Sequence, residues 1–193
     1  MTVVDDRIEM ADTSDERTLD SMFEWLEPTP EGFKVEIVGG NIFMSPQRDT
    51  HWDIILDIVE QLRAVYPRQR VKSDVRIDFP GLLNGFASDV VALVEGAAKD
   101  EKGHWRYQDI EFVAEVISKN TAANDYGPKK ATYATAGVPV YVIADPYTGR
   151  WQLHTLPKDD EYHGTVTLDF GYPIDLTGTA VGLTLETGDF PRD

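Results

Sequence analysis

Apolar residues recur along this chain with two different periods, and each period predicts a different kind of element. Between about 50 and 65, Ile54, Ile55, Ile58, Val59, Leu62 and Val65 return at steps of three to four, which predicts an amphipathic helix. Thr18 stands where it can cap a shorter helix reaching about Glu27, with Leu19, Met22, Phe23 and Leu26 on one face. Pro28 and Pro30 end it. Another helix is expected from about Asp125 to Ala136: Pro128 falls in its first turn, where the missing N–H costs no bond, and Gly137 is the stop. Extended segments fill the intervals. Phe33–Val38 and Asn41–Met44 flank Gly39-Gly40 in the pattern of a β-hairpin, and Val71–Phe79 alternates like a half-buried strand. Ala87–Val94, Glu111–Ile117 and Val138–Ala144 are nearly continuous apolar runs, as expected of strands covered on both faces. Shorter alternating strands follow at Trp151–Leu156 and Val166–Phe170. The expected fold class is α/β (α+β), a mixed central sheet flanked by helices.

Length and composition narrow this further. At 193 residues, without repeats or a linker, the chain is expected to be an acidic flexible arm (1–16) followed by a single domain (17–193). No apolar run reaches bilayer length, and the acidic N-terminus lacks the features of a signal peptide, so a cytoplasmic protein with no membrane partner is expected. The absence of cysteine excludes disulfides, thiolate nucleophiles and thiolate zinc sites. A net charge of −16 argues against indiscriminate affinity for nucleic acid. That charge is uneven: residues 1–31 carry ten acidic and two basic side chains. Between 63 and 76, Arg63, Arg68, Arg70, Lys72 and Arg76 face Asp74 alone, a local excess of +4. This stretch reads either as a solvated basic edge or as a nucleic-acid-binding surface that contacts phosphates.

Two acids interrupt the apolar strands, Asp89 at the start of one and Glu115 late in the next. A carboxylate inside such a strand is costly unless it is paired, hydrogen-bonded or bound to a metal. On neighbouring strands the two would share one end of the sheet, where a divalent cation relieves their repulsion. Oxygen-only ligation suits Mg2+ or Mn2+ better than zinc. Asp125, Lys129 and Tyr133 follow at steps of four, along one helix face. The spacing fits an ordinary helical ion pair, or a Lys129 ammonium held over the metal site. His51 starts the long amphipathic helix and can serve as a cap or approach the site. No phosphate-cradling glycine loop and no nucleophile elbow is present.

Several segments carry a resemblance. VEIVGGNIFMSP (35–46), His51, SDVVALV (88–94) and FVAEVISKNTAANDYGPKKATYATAGVPVYVIADP (112–146) are similar to the bacterial family of Uma-type restriction-endonuclease domains, within the PD-(D/E)XK nuclease superfamily. By position, that resemblance puts the nuclease acids on Asp89 and Glu115. It puts the displaced lysine on Lys129, since Ile117 occupies the usual lysine position. Glu36 matches a further acid that completes such metal sites; Asp125, Tyr133 and His51 stand as supporting residues. Departures are Ser88 for a common Pro, Gly39 for a common Asp and Asn41 for a common Glu. The resemblance implies a restriction-endonuclease-like core, Mg2+-dependent (or Mn2+-dependent) hydrolysis of DNA, and a homodimer. A catalytically silent module that binds nucleic acid or protein, or hydrolysis of a small phosphorylated molecule, stays open beside it.

Overall fold

The computed structural model describes residues 18–46 and 48–193; the arm expected at 1–16 lies outside the described residues. Thr18 caps α1 (Leu19–Trp25), its hydroxyl accepting from Ser21 N at 3.2 Å. The hairpin β1 (Phe33–Val38) and β2 (Asn41–Pro46) turns at Gly39-Gly40. Both glycines have positive φ, +57° and +78°, the two-residue geometry that side chains resist and that matches strand twist. The amphipathic pattern becomes α2 (Asp49–Leu62), with Ile54, Ile55, Ile58 and Leu62 buried.

The segment expected as one strand over Val71–Phe79 divides into two. β3 (Val71–Lys72) and β4 (Ile77–Phe79) belong to different sheets, and Asp74 between them has φ +51°. A backbone turn there breaks the alternation that the sequence pattern suggests. Two further short strands were not marked by periodicity, β5 (Asn84–Phe86) and, after β6 (Val90–Leu93), β7 (Trp105–Arg106). At two or three residues neither is long enough to establish a period.

The remaining helices and strands are β8 (Ile110–Val116), α3 (Ala122–Tyr126), α4 (Pro128–Thr135), β9 (Val140–Asp145), β10 (Arg150–Lys158), β11 (Glu161–Asp169) and the antiparallel pair β12 (Ile174–Asp175) and β13 (Thr184–Leu185). The helix expected over Asp125–Ala136 is thus two helices. Gly127 breaks it at φ −119°, ψ −101°, and Pro128 starts the second at its first position.

A six-stranded sheet runs β11-β10-β9-β8-β6-β3, with β8 and β9 parallel and the other pairs antiparallel. A five-stranded sheet runs β2-β1-β5-β4-β7. The period-2 alternation of the central strands sorts the core into two clusters. Val90, Ala92, Phe112, Ala114, Val116, Val140 and Val142 face α2 and the C-terminal segment. Val91, Leu93, Val113, Tyr141 and Ile143 face α4 and the five-stranded sheet, through Tyr133, Phe79 and Phe86. This mixed sheet covered on both faces is the expected α+β class. Its consequence for function is parity: Asp89 shares a face with Val91, and Glu115 with Val113.

Candidate active site

In the β6–β8 pair Val90 lies opposite Ala114, so the next residues, Asp89 and Glu115, stand opposite each other at the end of the ladder. They point to the face where β1 and α4 pack. Glu36 arrives from β1 and Lys129 from α4, and Asp89, Glu115, Glu36, Asp125 and Lys129 are all buried. The two strands, the hairpin and the helix thus meet in one polar cluster.

Lys129 holds the inner half. Its Nζ donates to Glu36 Oε1 at 3.0 Å and lies 2.8 Å from Glu115 Oε1 and 2.9 Å from Asp125 Oδ1. The break at Gly127 does not separate Asp125 from Lys129; the four-residue pair forms across it. Tyr133 donates its hydroxyl to Glu115 Oε1 at 2.6 Å. That proton being spent, Ser88, 2.7 Å from Tyr133 Oη, donates to the tyrosine. The Ser in place of a common Pro therefore extends the network by one donor.

The outer half turns on Lys34, which the sequence pattern does not single out. It sits two residues before Glu36 in β1 and hence on the same face. Its Nζ is 2.7 Å from Asp89 Oδ1, 3.6 Å from Glu115 Oε2 and 3.9 Å from Glu36 Oε2. Strand parity with Glu36 is the signal that could have found it. Backbone amides complete the set: Val116 N donates to Asp89 Oδ2 at 2.7 Å and Ala87 N to Glu36 Oε1 at 3.1 Å.

Four carboxylates and two ammoniums give a cluster of net charge −2 when all are ionised. Ionisation is not shared evenly. Burial pushes the Asp89 carboxyl up, Lys34 pulls it back, and the Glu115 charge adds to the rise. Burial also works against the Glu115 charge, but Lys129 and Lys34 hold that carboxyl down at about 2. Asp125 is pushed up to about 7 by burial, against the pull of Lys129. Burial disfavours the Lys129 ammonium, yet Asp125, Glu115 and Glu36 together hold its pKa well above the ordinary lysine range. Neighbouring groups driven apart in this way mark a functional cleft more often than a plain core.

Asp125 supplies a pH test. Its folded-state pKa is raised above the unfolded value of 3.8, so ionising it costs stability as pH climbs from 3.8 toward about 7. Asp125→Asn is expected to raise the Tm of the metal-free protein by an amount that grows across that window. His154, pushed by burial down to about 4, acts in the opposite sense: its contribution is lost as pH falls from 6.5 to about 4. The difference in Tm between variant and wild type isolates Asp125. A difference that stays flat from pH 4 to 7 by scanning calorimetry would refute this account of the carboxyl.

The cluster floors a cleft of about 250 Å³, lined also by Arg48, Asp49, Trp52, Asp74, Ser118 and Thr121. His51 lines it too, with Nε2 2.8 Å from Val116 O and Nδ1 buried without a hydrogen-bond partner among the described residues. The five basic residues of 63–76 do not line this cleft. Arg70 pairs with Glu111 at 2.8 Å, Arg76 pairs with Asp78 and Asp20 at 2.7 Å, and Lys72 lies over the Trp105 ring. Arg63 and Arg68 are exposed. Among the described residues, Asp20, Asp78 and His104 also bring ligand-type atoms within 4.8 Å of one another. Arg76 and Lys102 already pair with those acids, so that group reads as a surface ion-pair network.

The mixed α+β fold thus brings a cluster of carboxylates and lysines to the floor of a cleft. The model of the family described as "Uma2: Putative restriction endonuclease" matches residues 19–188, and the chain belongs to that family. The fold is also similar to a crystal structure described as a "putative nuclease" from Anabaena variabilis, with TM-score 0.69 and 17% identity, covering 90% of this chain and 97% of that one. No curated protein matches. No helix among the described residues is long and apolar enough to cross a membrane.

Proposed function

We propose that this chain is a Mg2+-dependent endonuclease that hydrolyses DNA phosphodiester bonds at the Glu36–Asp89–Glu115–Lys129 cluster. One observation carries the reading: three carboxylate oxygens, from Glu36, Asp89 and Glu115, surround a single cationic position at the floor of an open cleft. The lysine ammonium now at that position marks it as one that takes positive charge. An all-oxygen donor set fits a hard divalent ion, Mg2+ or Mn2+. Glu36, Asp89 and Glu115 would hold it; when bound, it supplies Lewis-acid polarisation of the phosphate and a more acidic water.

The chain's own residues do the remaining work. Lys129, donating to Glu36, Glu115 and Asp125, holds those carboxylates in place, and Tyr133 fixes the inner oxygen of Glu115. That ammonium is 1% exposed and does not line the cleft, so it acts through the carboxylates it holds. Arg48, which lines the cleft, would meet backbone phosphates. Six acids line the cleft, so duplex binding is expected to be weak without divalent ions and to fall with salt.

One observation favours the silent module instead: Lys34 satisfies the carboxylates without any metal. Metal binding separates the two readings. A catalytic site is expected to give plasmid nicking with Mg2+ or Mn2+ that EDTA stops, and a rise in Tm on adding Mn2+ alone, because a ligand that binds only the native state stabilises it. With neither nicking nor a Tm rise, the endonuclease reading is lost and the module remains.

A further inference from the structure

Lys34 and Lys129 hold the same carboxylates in different ways. Lys129 is 1% exposed, projects from a packed helix, and makes close contacts of 2.8 to 3.0 Å with three acids. The Lys34 side chain is 11% exposed, lines the cleft, and makes one hydrogen bond, at 2.7 Å to Asp89. Its other two carboxylate oxygens stand off at 3.6 and 3.9 Å. Its ammonium thus sits among three oxygens from three separate segments without bonding closely to all of them.

We propose that Lys34 is a built-in, displaceable cation: it occupies the metal position of the metal-free protein and swings into the cleft when a divalent ion binds. This rests on the metal-site reading above. Mg2+ needs oxygens at about 2.0–2.1 Å, closer than any that Lys34 now has, so the carboxylates must draw inward around the ion. An ammonium and a dication cannot share that volume. Charge points the same way. With Lys34 in place the cluster carries at most −2; its departure leaves one more negative charge uncompensated before the incoming ion. The side chain has a route out, since its stem is long and flexible and the cleft offers about 250 Å³. Metal binding then becomes a competition, and the metal-free acids never face one another unscreened.

The test is calorimetric titration of Mn2+ into the full-length wild type and into Lys34→Met. The variant is expected to bind Mn2+ at least about ten-fold more tightly, having lost the internal competitor. Equal or weaker binding in Lys34→Met, with binding in the wild type, overturns the displacement and leaves the metal site standing. Binding in neither protein overturns both. Because Lys34→Met leaves buried acids less well paired and can fold poorly, a second measurement uses wild type alone. An amine-acylating reagent, read by mass spectrometry, is expected to label Lys34 several-fold faster with Mn2+ than with EDTA, while Lys129 stays protected. Labelling of Lys34 that is unchanged or slowed by Mn2+ overturns the proposal.

Discussion

Asp89→Asn is expected to abolish Mg2+-dependent nicking of plasmid DNA while leaving the fold in place. Asp89 offers Oδ1 to the cationic position and uses Oδ2 to accept from Val116 N at 2.7 Å. Asparagine keeps an oxygen for that amide but removes the charge and half of the donor capacity toward a metal. Burial already raises the Asp89 carboxyl, so the neutral amide relieves a desolvation cost while Lys34 loses its nearest anion. These terms oppose each other, and the Tm of the metal-free variant should lie within a few degrees of wild type. Activity has no such offset. Mutating residues that merely support metal ligands typically costs about 10–100-fold, so removing a ligand charge should cost at least about 100-fold in rate. The Mn2+-induced rise in Tm should vanish with it. Nicking by Asp89→Asn at the wild-type rate, in protein free of contaminating nuclease, would remove Asp89 from the site.

How far could this cluster be read in advance? Asp89 and Glu115 were legible because an ionised group within an apolar strand is costly enough to be noticed one residue at a time. Their meeting followed from strand adjacency, and β6 and β8 are adjacent. The placement of Glu36 and Lys129 came from resemblance; nothing in the local pattern of β1 separates Glu36 from an ordinary outward-facing acid. Lys34 escaped for the same reason. On a strand that alternates polar and apolar residues, Lys34 and Glu36 read as a solvated face, until β1 is seen laid across the end of the central sheet. The basic stretch shows the converse error of scale. A local +4 looks like a surface for phosphates, but long-range partners absorb much of it: Glu111 takes Arg70, and Asp20 and Asp78 take Arg76. The Asp125–Tyr133 spacing was legible as one helix face, whereas the break at Gly127 was not, because a single glycine beside a proline fits a helix start as well as a helix junction.

Lys129→Met should produce the largest loss of stability of any single change at this site. The methionine matches much of the stem's volume, so packing is nearly conserved and the effect is electrostatic. Glu36, Glu115 and Asp125 would each lose a contact of 2.8 to 3.0 Å and remain buried. Removing one partner of a buried pair typically costs about 3–5 kcal/mol, because an uncompensated charge is left behind. At about 2–4 °C per kcal/mol for a chain of this size, the Tm of the metal-free protein should fall by roughly 6–20 °C. The neighbouring Lys130→Met, which leaves the cluster untouched, should shift stability by about 0.5 kcal/mol or less. Adding Asp125→Asn to Lys129→Met should recover part of the loss, since one of the stranded carboxylates is then neutral; the double-mutant cycle reads that coupling directly. Because Lys129 is what pulls the buried Asp125 carboxyl down, its removal lets that carboxyl rise further, and the deficit of Lys129→Met should shrink as pH falls and Asp125 takes up its proton. A variant as stable as wild type at neutral pH would mean that the three carboxylates are satisfied without Lys129. In that case the inner half of the cluster would not depend on this ammonium for its ionised state.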